Sequence, residues 1–148
     1  MTPNYPDIRE TIPHEPPMIL LERIIEKDKG RIVCEAVIRE NAPFVETEGI
    51  RAHVTLEHMA QCIAAGAGID SIENGEAQRL GFLVGCRNLT LHRAWIPIGS
   101  TLRISVDSQW GHDSLGLFHG EVHLEDELVS EASLSVVRLQ PGHSPSVD

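Results

Sequence analysis

The chain is short of positive charge. Its 148 residues carry 12 Lys and Arg against 22 Asp and Glu, a formal net charge of −10. Phosphate backbones are bound by Lys and Arg that displace counterions, so this balance argues against a nucleic-acid partner. An acidic partner docking on a local basic patch stays open. Cysteine is scarce as well. Cys34, Cys62 and Cys86 are odd in number, far apart, and set in apolar segments. They do not make a disulfide or zinc framework, and buried free thiols in a reducing, cytoplasmic compartment are expected. No segment approaches the roughly 18 uninterrupted apolar residues of a membrane span. Met1 to Pro17 holds five prolines and no apolar run, unlike a secretory leader.

A chain of this length buries roughly 70% of its unfolded surface and needs no staples. One domain is expected over residues 1–140, with a polar, disordered tail at 141–148. Asp7 is placed to cap a short turn over Ile8 to Ile12, which Pro13 ends. Met18 to Glu26 reads as a strand, Lys27 to Gly30 as a hairpin turn, and Arg31 to Glu40 as the returning strand. Asn41 to Arg51 reads as a loop. Four further strands are expected: Leu80 to His92, Thr101 to Trp110, Leu115 to Glu125 and Glu127 to Leu139. Their period-two patterning and short turns predict an antiparallel meander.

Between the two groups of strands runs the longest apolar stretch, Ala52 to Ile69, decaying into Asn74-Gly75. A helix this apolar must be wrapped on most sides. An α+β arrangement follows, a curved antiparallel sheet folded round one long central helix, known as the hotdog fold. Its edge strands favour a dimer with a sheet continuous across two chains. Leu56, Met59, Ala60, Ile63 and Ala67 make one stripe, the expected core face. His53, Glu57, Gln61, Ala64 and Gly68 make the next. Glu57 is the only carboxylate within Ala52 to Ile69. Burying an ionised carboxylate is costly, and a neutral carboxyl is what general acid catalysis at neutral pH requires. Two readings of the stripe compete. In one, polar groups meet a reactive centre near the helix start, and Ala and Gly leave room for a slender ligand. In the other, His53 and Glu57 are an exposed i, i+4 pair worth a few tenths of a kcal/mol.

Leu56-Glu57-His58-Met59-Ala60-Gln61 resembles the Leu-Glu-x-Met-Ala-Gln helix of the β-hydroxyacyl-(acyl carrier protein) dehydratases. Ile12 to Ile24 resembles that family's Leu-Pro-His-Arg-x-Pro segment, Asn41 to Phe44 its Asn-Glu-Pro-Phe, and Arg93 to Gly99 its Arg-Pro-x-x-Pro-Gly turn. The shortened loop looks closest to a divergent branch associated with aryl polyene pathways. The resemblance implies a lyase of fatty acid or polyketide-like biosynthesis that needs no cofactor or metal. Its substrate would be a 3-hydroxyacyl chain on the phosphopantetheine of acyl carrier protein, or on CoA, and its product a trans-2-enoyl thioester. It assigns the helix carboxyl to Glu57 and a thioester-polarising N–H to Ala52. The family's catalytic His, in the loop after Pro-Phe, has no counterpart in Val45 to Arg51.

His53, in the first turn and on the Glu57 stripe, is therefore the first candidate base. His14 lies in a motif whose family role looks structural. His58 points about 100° away from Glu57 and reads as core or interface. His119, Glu121 and His123 share a strand face and read as solvated rather than metal-binding. Gln61, Ala64 and Gly68 are expected to line a narrow substrate channel with the strand from Leu80 to Cys86. Arg87, Arg93 and Arg103 are the expected docking patch for an acidic carrier protein. A homodimer or higher oligomer is expected, with a related dehydratase subunit as a further option. A hotdog thioesterase, which requires no His, and a non-catalytic subunit of a dehydratase complex are the alternatives.

Overall fold

The computed structural model describes residues 4–77, 81–112 and 114–138. The expected tail, 141–148, and the outer ends of two expected strands, at Leu80 and Leu139, lie outside these. Asp7 caps helix α1 (Ile8–Thr11), its carboxylate accepting the Arg9 N–H at 2.9 Å. Strands β1 (Arg23–Asp28) and β2 (Arg31–Val37) form the first hairpin, turning at Gly30 with φ +78°. Strand β1 begins later than its apolar pattern suggests. Met18 and Leu20 spend backbone hydrogen bonds on the Gln61 side chain instead of on a neighbouring strand.

The expected loop contains a two-residue strand, β3 (Ile50–Arg51), which pairs with β5 (Trp95–Ile96). A single 3-10 turn, Ala52–Val54, leads into helix α2 (Thr55–Glu73). Asn74 and Gly75 stop the helix as expected. Gly75 turns at φ +67°, the Gly75 N–H reaches the Ile72 carbonyl, and the Glu76 N–H reaches that of Ser71. That is a Schellman closure, which satisfies carbonyls the helix leaves unpaired.

The remaining strands are β4 (Gly81–Leu91), β6 (Thr101–His112), β7 (Leu115–Leu124) and β8 (Glu127–Arg138). The main sheet is antiparallel in the order β1-β2-β6-β7-β8-β4. This corrects one detail of the expected meander. β6, β7 and β8 follow one another, but β4 docks on the far side of β8, and β6 pairs with β2. Crossing over from β4 to β6 is what lets the sheet curl round α2, which packs on β2, β6 and β7. The hotdog architecture is thus observed.

The core face of α2 is shifted from the expected stripe. Met59, Cys62, Ile63, Ala65 and Ile69 are buried against Ile32, Cys34, Leu102, Ile104, Val106, Val122 and Leu134. Leu56, Ala60 and Ala67 are only half-buried. The apolar run has too little contrast to mark its own deep face, so period alone cannot choose among its stripes. Met59 is fully buried over Gly120, where an added Cβ would come 2.8 Å from its sulfur. Truncating such a side chain to Ala costs about 2–5 kcal/mol. Gly68 also has a packing reason. A Cβ there would fall on the carbonyl of Thr11, so α1 crosses α2 only because this side chain is absent.

Strand β4 is the exception to burial. It is an edge of the sheet, and Phe82, Leu83, Val84, Leu89 and Leu91 are all exposed. Cys86 lies on it and is exposed, unlike Cys34 and Cys62. An apolar edge of this length is a surface for pairing with another chain. The expectation of three buried thiols therefore fails at Cys86, whose apolar neighbours mark an unpaired edge and not a core.

Candidate active site

Glu57 stands in the first turn of α2, where the helix N-terminus favours negative charge. Its side chain is 38% exposed in the protomer. It opens on a cavity of about 590 Å³ between α2 and the ends of β4, β6, β7 and β8. The helix wall of that cavity includes Glu57, Ala60, Ala64 and Ala67, with Asp70 at its far end, and the opposite wall includes Phe82, Trp110 and Phe118. Small residues on one side and aromatic ones on the other leave a slot for a slender chain. Gly81, Phe82 and Leu83 of β4 line it, as expected of that strand, and so do Ala64 and Gly68.

Gln61 sits one turn beyond Glu57 and is fully buried. Its Nε2 donates to the Met18 carbonyl at 2.7 Å and to Glu57 Oε1 at 3.1 Å, and its Oε1 accepts the Leu20 N–H at 2.9 Å. This amide ties the segment before β1 to the helix and to the carboxylate. Every hydrogen bond it makes is to the protein, and it does not face the cavity, so the expected role against substrate gives way to that of a clamp.

The imidazole beside the carboxylate is His14, not His53. His14 Nε2 lies 3.6 Å from Glu57 Oε1, and both residues line the cavity. His14 Nδ1 is shielded from solvent and has no hydrogen-bond partner among the described residues. His53 is exposed, lies off the cavity wall, and makes no hydrogen bond or ion pair among the described residues. It belongs to the 3-10 turn, at about 3.0 residues per turn, so the helical i, i+4 stacking on Glu57 does not apply. His58 is buried, as expected, with Nδ1 at 3.3 Å from the Val54 carbonyl. Burial drives its imidazole down to about 4, against a smaller upward pull from that carbonyl. It is neutral at physiological pH.

Ala52 is buried, and its N–H donates to the Ala94 carbonyl at 3.0 Å. It is absent from the cavity wall. The N–H expected to polarise a thioester is thus already spent on holding β5 against the helix start. The segment that replaces the family's His loop is closed on itself. Glu46 and Gly49 bridge, Arg51 reaches Glu46 at 3.1 Å, and Arg51 stacks over Trp95 at 4.5 Å. A Cβ at Gly49, φ +117°, would fall on the Ile96 carbonyl, so the turn has no slack.

The three arginines expected to form one patch are dispersed. Arg93 is engaged by Glu127 at 3.1 Å and by the Trp95 carbonyl at 2.7 Å. Arg87 on β4 and Arg103 on β6 are separated by β8 and β7, about 14 Å across the sheet, and are also offset along it, since Arg87 lies level with Asp107 and not Arg103. On the sheet, His119 and His123 approach Glu121 at 3.2 and 3.8 Å. Among the described residues no three His, Cys, Asp or Glu side chains converge as metal ligands. Glu57, Ala64 and Gly68 lie on the slot as expected. His14, which the sequence ranked behind His53, is the imidazole next to Glu57 in the protomer, and its signal was its place in a proline-fixed segment matching a family motif.

With this geometry in view, the comparisons with known proteins are specific. The chain is similar to a 3-hydroxyacyl-[acyl-carrier-protein] dehydratase FabZ of Coxiella burnetii, 28% identical over 141 residues, covering 91% of this chain and 99% of that protein. It is similar to a FabZ of Bacillus velezensis, 29% identical over 134 residues, covering 86% of this chain and 92% of that one. Among solved structures, the dehydratase heterocomplex ApeI:P from Xenorhabdus doucetiae superposes with a TM-score of 0.87 at 25% identity, covering 93% of this chain and 94% of that chain. The pattern described as ApeP-like, ApeP dehydratase, matches residues 6–145. The carboxylate at the head of the slot is therefore that of a dehydratase fold, and the chain belongs to the ApeP-like dehydratase family.

Proposed function

We propose that the chain dehydrates 3-hydroxyacyl thioesters to trans-2-enoyl thioesters, on substrate carried by the phosphopantetheine of acyl carrier protein. The observation that carries this reading is Glu57 at the head of a slot whose helix side includes the small residues Ala60, Ala64 and Ala67. In the reaction a base removes the C2 proton, the C–H electron pair becomes the new C=C bond, and the C3–O bond breaks. Glu57 gives its proton to the departing hydroxyl, which leaves as water.

The base is an imidazole brought in at a subunit boundary. Three observations support this. Val45 to Arg51 closes on itself without a His, Glu57 is open to the cavity, and β4 presents an unpaired apolar edge beside that cavity. The occupant of the edge is a second dehydratase chain, either another copy or a related subunit like that of the ApeI:P heterocomplex. In a homodimer the exposed His53 is an imidazole this chain can offer to its neighbour. Carrier docking falls to separate cations, Arg87 and Arg103, and not to one patch.

The test is Glu57→Gln in the assembled protein, with a 3-hydroxyacyl thioester of acyl carrier protein as substrate. Enoyl formation should fall at least about a hundredfold while the fold persists. Full activity in that variant sinks the reading. Following free thiol in the same assay separates dehydration, which releases none, from thioester hydrolysis.

A further inference from the structure

Glu57 is held from one side only. Gln61 Nε2 donates to Oε1 at 3.1 Å, and His14 Nε2 faces the same oxygen at 3.6 Å. No hydrogen-bond partner among the described residues reaches Oε2. His14 has its own asymmetry: Nδ1 is shielded and unpartnered, while Nε2 looks at the carboxyl group. A buried N–H without an acceptor is rarer and costlier than a bare lone pair. The neutral ring is therefore set as the Nε2–H tautomer, with its proton aimed at Oε1.

We propose that His14 is a positioning residue for Glu57: with Gln61 it presents N–H groups to Oε1, and so leaves Oε2 as the oxygen that holds the transferable proton and faces the substrate. The oxygen that faces N–H donors is the better carbonyl end of a carboxyl group, so this arrangement favours Oε2 as the end that carries the transferable hydrogen. The 3.6 Å contact is longer than a hydrogen bond. Catalytic contacts of this kind tighten when substrate fills the site. The segment bearing His14 is well placed to keep the ring there, because Gln61 ties Met18 and Leu20 of the same segment to the helix. One carboxyl oxygen is thus fixed and the other is free, which suits an acid that must deliver its proton in one direction.

The inference rests on the dehydratase reading, and the experiment separates the two. His14→Leu, which removes the donor, and His14→Gln, whose Nε2 can replace it, are compared with unsubstituted protein in steady-state dehydration. His14→Leu should lower kcat at least about tenfold with KM within about twofold, and His14→Gln should recover most of the loss. Circular dichroism and melting confirm that each variant is folded. Separately, nitrogen-15 shifts of the His14 ring above neutral pH should report the Nε2–H tautomer, and Glu57→Gln should disturb that preference. His123→Ala, on the sheet away from the cavity, serves as the unaffected control. Unchanged kcat in folded His14→Leu, a His14→Gln variant as impaired as His14→Leu, or an Nδ1–H tautomer overturns the inference. Absence of turnover in the unsubstituted protein, both alone and assembled with a related dehydratase subunit, would overturn the dehydratase reading, while the tautomer result still decides the role of His14.

Discussion

His58 offers a quantitative test of the helix environment next to Glu57. It is buried at 2% exposure, and its imidazole titrates near 4 in the folded protein against an ordinary 6.5. The sign follows from linkage. Above the ordinary value both states are neutral at this site, and it contributes nothing to the pH dependence. As pH falls through that value, the unfolded chain takes up a proton that the folded chain refuses, so stability drops. The drop continues until the folded value is reached. At about 1.36 kcal/mol per pH unit, the full loss is about 3 kcal/mol, of which about 2.5 is spent between about pH 7 and pH 4.5. That is a large part of the stability of a domain this size. The assay is urea denaturation of native protein and of a His58→Gln variant across this range. Carboxylates titrate in both proteins, so the difference between them isolates His58. The stability gap should narrow on acidification, in favour of the variant, by about 2–3 kcal/mol. Parallel pH profiles would refute the burial argument.

Other perturbations follow from the same geometry. Gly68→Ala should lower stability by about 1–3 kcal/mol, because its Cβ displaces the Thr11 backbone; thermal melting reads the loss, and an unchanged melting point would contradict the crossing. Gln61→Leu strips partners from the part-buried Met18 carbonyl and Leu20 N–H, at about 1 kcal/mol for each because water partly replaces the lost bond, and should lower kcat by loosening Glu57. Val84→Lys, at 59% exposure on the β4 edge, should shift sizing-column elution toward the monomer and reduce dehydration with it; an unmoved elution volume would place the subunit contact elsewhere.

Much of the fold was legible because its signals are local. Alternation marked β6, where Leu102, Ile104 and Val106 turn inward, and Asp7 and Asn74-Gly75 marked helix ends through capping chemistry. What escaped depends on contacts far apart in sequence. The strand order, with β4 beyond β8, is set by how the sheet closes round the helix, and no local pattern encodes that. The deep face of α2 was misplaced because nearly every face is apolar. Within the site, Glu57 stood out by chemistry alone. Gln61 shared its stripe, but its bonds to Met18 and Leu20 span 43 and 41 positions, and spacing on a helix does not reveal them. His53 and Ala52 lie off the cavity wall of their own protomer for one reason: the chain enters the helix through a 3-10 turn pinned to Ala94, which redirects one side chain and engages one N–H.

The bare flank of β4 has a consequence for how this protein is made. Eleven residues of strand mated on one side only, with Phe, Leu and Val exposed, form an adhesive template on every newly synthesised copy. Until a mate arrives, the safest route for each chain is rapid capture and the competing one is precipitation. Association must therefore keep pace with synthesis, and slower expression should raise the soluble share of the chain over that in inclusion bodies.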